Sequence, residues 1–215
     1  MALAAFALIP LSLPPASSLA PCPNVLDAGT GENAGIQDPL GAADDRWWTA
    51  VRPNGGPVPA YSIDDSPAPY GVTFPWVKSF QANWLNPYGA GTGYNDPGAP
   101  TGDYVYRFDF HTLTAGAATV SLQFAVDNTV TILLDGNVIG GYGVSDATAF
   151  NQWHSAFWSG TLPAGSHTLD ARVVNAGGYT GFSITGEIRT CPKSEYGSAP
   201  WDPDVGVVKV KAWRT

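Results

Sequence analysis

The stretch Asp103-Tyr104-Val105-Tyr106-Arg107-Phe108-Asp109-Phe110 sets aromatic side chains at every second position. Side chains of an extended strand point alternately to opposite faces, so Tyr104, Tyr106, Phe108 and Phe110 share one face and Val105, Arg107 and Asp109 share the other. The pattern predicts a half-buried strand with an aromatic inner face. The same period continues toward the C-terminus, where Val120, Leu122, Phe124 and Val126 alternate with Ser121, Gln123 and Ala125. The β-branched run Thr129–Leu134 ends in Asp135-Gly136, the strongest short hairpin signal. Pro163-Ala164-Gly165 predicts a turn, residues 166–174 a further strand, and Phe182, Ile184, Gly186 and Ile188 the last of the series. Toward the N-terminus the pattern is looser, with short strands expected from Trp47-Trp48 to Val51, over Val58–Ile63 and over residues 72–77, and a long loop over residues 86–102. Strands spaced by about 8 to 12 residues, with turn signals between them, predict a single all-β domain, a jelly-roll-like antiparallel β-sandwich.

Composition supports this and narrows the function. The chain of 215 residues contains 25 Gly and 19 Pro, and its acids are 15 Asp against only three Glu (Glu32, Glu187 and Glu195). Asp, Gly and Pro belong to turns rather than helix interiors. A formal net charge of -8 without a Lys/Arg cluster excludes nucleic acid and anionic membrane surfaces as expected partners. Eight Trp and nine Tyr provide large apolar faces for packing or for stacking on a ligand.

Residues 1–20 read as the apolar and small-residue portions of a signal peptide without its basic start, although an apolar arm packed on the domain is the alternative. Pro10, Pro14, Pro15 and the short length argue against a spanning helix, so no membrane insertion of the mature chain is expected. Cys22 and Cys191 lie near the two ends of the strand series, each beside Pro. They read as a disulfide clasp in an oxidising compartment, with two free structural thiols as the alternative. The expected organisation is therefore a leader over 1–20, a sandwich over 21–192, and an extension over 193–215 holding one further strand near Val205 to Trp213. The expected location is secreted or cell-surface.

The segments Ala82-Asn83-Trp84-Leu85-Asn86-Pro87, Gly102-Asp103-Tyr104-Val105-Tyr106-Arg107-Phe108-Asp109-Phe110, Phe124-Ala125-Val126-Asp127-Asn128, Leu162-Pro163-Ala164-Gly165-Ser166-His167-Thr168-Leu169 and Val174-Asn175-Ala176-Gly177-Gly178 are strand and turn elements. Together they resemble the secreted bacterial β-sandwich domains found in exosortase-sorted (PEP-CTERM) extracellular proteins, which are similar to galactose-binding-like jelly rolls. The resemblance covers roughly residues 45–190. The Pro-Glu-Pro sorting motif, apolar span and basic tail are not found in the sequence, so exosortase processing is not implied. The resemblance implies a module that binds carbohydrate, in some relatives with a structural calcium.

A sugar site needs exposed aromatic rings beside short polar side chains. In the long loop, Tyr88, Tyr94, Asn95 and Asp96 sit among glycines and satisfy this requirement. Adjacent aromatics in a strand point to opposite faces, so at most one of Trp47 and Trp48 belongs to the core, and the same holds for Phe157 and Trp158. Trp47 and Trp158 are accordingly candidates for the ligand face, with core packing as the alternative for each; Trp84 and Trp153 are expected in the core. For calcium, the pairs Asp44-Asp45 and Asp64-Asp65 could supply carboxylate oxygens, although no EF-hand loop is present and solvated turns explain such pairs equally well.

No Gly-x-Ser-x-Gly occurs, and His111, His154 and His167 are scattered without ligand spacing. The expected function is thus a non-catalytic extracellular binding module for carbohydrate, not an enzyme. The alternative is a structural subunit of an extracellular fibre, coat or virion-like assembly, in which residues 205–213 pair with a neighbour by strand addition.

Overall fold

The computed structural model describes residues 24–33, 36–63, 76–79, 81–89, 99–143, 149–191 and 194–196. The period of two quoted above becomes a strand at the centre of the sheet. In chain order the strands are β1 (Asn24–Asp27), β2 (Glu32–Asn33), β3 (Ile36–Gln37), β4 (Ala43–Val51), β5 (Val58–Ile63), β6 (Trp84–Asn86) and β7 (Gly102–Thr112). They continue with β8 (Gly116–Asp127), β9 (Thr129–Leu134), β10 (Asn137–Tyr142), β11 (His154–Leu162), β12 (Gly165–Asn175), β13 (Gly181–Thr190) and β14 (Ser194–Tyr196). No helix forms among the described residues.

The strand order is β10-β9-β12-β7-β4-β5-β6-β13-β8-β11, and every ladder is antiparallel. From β7 to β13 the chain passes repeatedly between the half that holds β10, β9, β12, β7 and β4 and the half that holds β6, β13, β8 and β11. That alternation makes the fold a jelly-roll-like sandwich, curled into a nearly closed barrel. Its two end strands, β10 and β11, approach so closely that a methyl on Gly140 would come within 2.5 Å of the Ala156 side chain. The Asp135-Gly136 turn has both residues at positive φ, 49° and 78°, as a tight hairpin between β9 and β10 requires.

The core forms where the inner faces of the halves meet. Trp47 lies 5.5 Å from Phe108 and 5.7 Å from Phe182, and Tyr106 stacks on Phe182 at 5.6 Å. Tyr104, Phe110, Val120, Leu122, Phe124, Leu169 and Val173 complete this layer, all buried. Burial of each such side chain contributes about 1.5 to 3 kcal/mol.

A second, smaller cluster lies on the other side of β6 and β8. Leu85 and Phe124 point into the main core, whereas Trp84 and Ala125 point away from it, toward Ile63 and Trp76. The half-buried Val77, Phe150, Trp153 and Tyr179 cover this satellite cluster.

After Cys191 the chain returns to its own sandwich, since β14 pairs with β7 at Thr112, His111 and Phe110. The strand expected near residues 205–213, the leader over 1–20 and most of residues 72–77 lie outside the described residues.

Candidate functional site

The site is a corner where a short hairpin is tied to the start of β6. Asn83 donates from its side-chain amide to the carbonyls of Gly31 and Asp38, both at 3.0 Å, and Thr30 donates its hydroxyl to the Asn83 carbonyl at 2.7 Å. Gln37 donates to the Ser79 carbonyl at 3.1 Å. These bonds tie the β2–β3 hairpin to the segment before β6, and an open cleft of about 520 Å³ lies between them.

Ile63, Ala82 and Trp84 make its apolar floor, and Gln37, Asp38, Lys78, Ser79 and Asn83 make its polar rim. Asp38 is distinctive, because its Oδ2 is buried without a hydrogen-bond partner. Burial, reinforced by the nearby Asp45 carboxylate, holds the Asp38 carboxyl above its ordinary range. A buried acceptor of this kind is costly unless a partner supplies the missing bond.

The floor is rigid. Trp84 packs on Trp76 with ring centroids 4.1 Å apart and planes tilted by 31°, and its indole N–H donates to the Val77 carbonyl at 3.0 Å. Asp127 bonds the Trp76 side chain, and burial pushes the Asp127 carboxyl up to about 6. Asn128 donates from its amide to Asp127 Oδ1 at 2.6 Å.

The sequence-derived candidates are scattered by the fold. Trp47 is fully buried and donates its indole N–H to the Ala28 carbonyl at 3.0 Å, so it is a core residue and not a ligand platform. Its neighbour Trp48 takes the outer face, because Trp47 stands opposite the inward-facing Phe108 and Trp48 opposite the outward Arg107. Trp158 is half-buried against the main core, folded so tightly over Gly160 that a methyl there would meet its ring at 2.6 Å. Phe157, its partner in alternation, is 65% exposed.

Tyr88 is half-buried edge-on to Tyr104 at 6.3 Å, with the Arg52 guanidinium 5.7 Å over its ring, so it does not lie bare in a loop as expected. Trp84 is buried as expected, but in the satellite cluster, where Trp153 joins it half-buried. Tyr94, Asn95, Asp96, Asp64, Asp65 and Cys22 lie outside the described residues.

Asp44 does not suit a calcium ion. Its carboxylate accepts backbone N–H bonds from Gly31, from Arg46 at 2.8 Å and from Trp47 at 2.7 Å, and burial pushes the group up to about 7. Asp45 is exposed and faces Arg46 Nε at 3.5 Å. Among the described residues no three acidic, His or Cys side chains converge as a metal site would require.

One constellation has the order of a hydrolytic triad. Asp135 Oδ2 lies 2.7 Å from His167 Nδ1, and His167 Nε2 lies 2.9 Å from the Thr112 hydroxyl. That hydroxyl donates to the Pro163 carbonyl at 2.6 Å, and both Thr112 and His167 are buried. A substrate carbonyl has no approach to it, so the trio is a structural lock on the β11–β12 turn. Asp170, three residues after His167, instead holds Arg107 in a fork at 2.7 and 2.8 Å, and His154 packs on Tyr142 with ring centroids 4.0 Å apart.

The cleft missed by sequence reading is built from residues in the least periodic third of the chain. Its only signal was the turn Gln37-Asp38-Pro39, which is also an ordinary loop composition.

Solved structures similar to this chain include a family 35 carbohydrate-binding module from an environmental isolate, 15% identical, covering 64% of this chain and 88% of the module with a TM-score of 0.34. Another is a family 35 module from Paenibacillus barcinonensis, 12% identical, covering 76% of this chain and 97% of the module with a TM-score of 0.34. A PA14 sugar-binding domain from an RTX adhesin is 16% identical and covers 45% of this chain and 55% of that domain, with a TM-score of 0.28. No family model and no curated protein matches the chain. Likeness at this level leaves the function to be argued from the chain's own side chains.

Proposed function

We propose that the chain is a non-catalytic carbohydrate-binding module that takes a sugar in the cleft over Trp84. The carrying observation is the pairing, in one open cleft, of an apolar floor with a rim of amide, hydroxyl, ammonium and carboxylate groups that includes the unpartnered Asp38 Oδ2. A sugar ring offers an apolar C–H face and several hydroxyl donors, and such a lining complements both. A hydroxyl donated to Asp38 supplies the bond this oxygen lacks.

The module is read as secreted, with a Cys22–Cys191 clasp. In support, β1 pairs with β13 so that Asn24 stands opposite Thr190, two residues from Cys22 and one from Cys191 in sequence. A loop of this size would contribute up to about 5 kcal/mol to stability. Calcium, in this reading, could be held only by groups beyond the Asp44-Asp45 pair; Asp64-Asp65 directly follows Ile63 at the cleft floor.

The test is binding of residues 21–215 to a broad panel of soluble glycans and insoluble polysaccharides, with calcium and then with chelator. Saturable binding is expected, weakened about tenfold or more in Asp38→Ala, since a hydrogen bond to a charged group is worth about 1.5 to 3 kcal/mol. Absence of binding across the panel overturns the reading, and chelator sensitivity would place an ion in it.

A further inference from the structure

The outer face of β13, β8 and β11 holds a feature that the cleft does not use. Register places Phe157 opposite Ser121 and Ser121 opposite Glu187, one row across three strands. Flanking rows are Ser155, Gln123, Thr185 and Ser159, Thr119, Arg189. The inward residues of β11 pack on the core, yet Phe157 stands 65% exposed, and its neighbours across β8 and β13 carry hydroxyl, amide and charged groups. On that side its ring faces polar groups in all three rows.

Glu187 and Arg189 form a forked pair, with side chains 34% and 43% exposed. A solvated pair of this kind contributes little to stability and remains open to a ligand. Beyond Glu187 the row enters a pocket of about 270 Å³ lined by Asp27, Glu32, Gln81 and Thr185. Two strand spacings separate Phe157 from Glu187, about 10 Å, the scale of a disaccharide.

We propose that this row, from the Phe157 ring to the pocket edge at Glu187 and Asp27, is a second carbohydrate site that binds a neutral oligosaccharide across the strands. One sugar stacks its apolar face on Phe157, and the next donates hydroxyls to the carboxylates while Arg189 and Gln123 donate to ring and hydroxyl oxygens. Charge selects the ligand: a net charge of -8 and carboxylates at the row's end repel phosphates and uronates but complement hydroxyl donors. A lone ring on a polar lattice lacks the apolar area of a protein interface. Strand-borne groups are rigid, so little ordering opposes binding.

The inference shares the ligand class of the proposed function but uses a different face, and the experiment separates the two. Cellohexaose, xylohexaose and mannohexaose, together with microcrystalline cellulose and insoluble xylan, are titrated against wild type, Asp38→Ala, Phe157→Ala, Phe157→Trp and the double Asp38→Ala/Phe157→Ala variant. Phe157 is exposed, so an unchanged thermal midpoint is expected for its variants. The expected result is residual binding in Asp38→Ala that falls a further five- to tenfold or so in the double variant, with Phe157→Trp binding at least as well as wild type. Binding lost in Asp38→Ala and unchanged in Phe157→Ala overturns this second site and keeps the cleft. Binding lost only in Phe157→Ala keeps this site and overturns the cleft. Wild type that binds none of these neutral probes overturns the second site, while the cleft is overturned only by absence of binding across the broader panel, and a calcium-dependent rise in melting temperature with Phe157→Ala silent toward every sugar reassigns the pocket to a cation.

Discussion

The two aromatic clusters stand on opposite faces of β6 and β8 and are built in different ways. The main core is built mainly from strands, with Trp47, Phe108, Tyr106 and Phe182 interlocked between two hydrogen-bonded halves and only Ala28, Ala149 and the half-buried Tyr88 added from outside the strands among the described residues. The satellite cluster borrows Ile63, Trp84 and Ala125 from the strands but is covered by non-strand segments carrying Trp76, Val77, Phe150, Trp153 and Tyr179. Ladders fix every inward side chain by register, so the first cluster is sealed. Irregular segments leave margins, and the cleft lies along one of them, with Ile63 and Trp84 belonging to both cluster and cleft. The difference explains why the candidate ligand site is found beside the smaller cluster: a sealed core stabilises, and a partly covered one can also bind.

The sharpest way to break this comparison is to truncate one ring in each cluster. Trp47→Ala is expected to cost about 3 to 5 kcal/mol, the range for deleting a large buried aromatic, and to leave a cavity the ladders cannot close. Trp153→Ala, in a half-buried position, is expected to cost about 1 to 2 kcal/mol and to weaken cleft binding more than it weakens the fold. Urea denaturation followed by tryptophan fluorescence measures both. Equal losses would show that the satellite cluster is a second sealed core.

A pH titration sharpens the comparison, because the satellite cluster contains a carboxyl displaced by burial. The folded-state value of Asp127 is raised to about 6 from 3.8. Between those values the folded state binds more protons than the unfolded chain, so stability declines as pH rises through that window and levels off above it. The span corresponds to a loss of about 2 to 3 kcal/mol at most. Asp127→Asn, which mimics the protonated group, should flatten this part of the profile and raise stability at neutral pH relative to wild type. Asp44, pushed up to about 7, adds a decline of the same sign that the variant leaves in place. A profile unchanged by Asp127→Asn would remove Asp127 as the group responsible.

Much of the fold was legible because strands announce themselves locally. Tyr104 to Phe110, Thr129–Leu134, Asp135-Gly136 and Val58–Ile63 fall where alternation and turn chemistry placed them. The candidate site was less legible, for physical reasons. Alternation shows that Trp47 and Trp48 oppose each other, but which one faces inward depends on pairing with Phe108, some sixty residues away, and on the bulges that reset β4. The same ambiguity hid Phe157 behind Trp158. The cleft draws on residues 37–40, 63, 78–79 and 82–84, segments brought together by side-chain bonds from Asn83 and Gln37 to carbonyls, which leave no period in the sequence. Asp44 shows the converse, since two adjacent carboxylates look like a cation site until the backbone amides that occupy one of them are seen.

The smallest expected effect comes from the residue next to the one with the largest. Trp48 lies half-buried on the outer face, donating its indole N–H to Asp109 Oδ2 at 2.9 Å beneath the Arg107 guanidinium, 5.8 Å from its ring. Arg107 is itself held by the fork to Asp170, so the cation keeps its place whether or not the indole is present. Trp48→Phe retains a ring under that cation and removes only the N–H donor. Burial raises the Asp109 carboxyl and the Trp48 bond opposes that rise, so the variant should raise it further and shift a modest part of the stability profile to higher pH. The expected cost at neutral pH is under about 1 kcal/mol, with sugar binding unchanged because this face belongs to neither proposed site. Urea midpoints for Trp47→Ala and Trp48→Phe, measured side by side, test whether one step along a strand separates the sealed interior from the solvent face. A Trp48→Phe loss as large as that of Trp47→Ala would mean that the outer face of β4 and β7 carries a packed layer of its own.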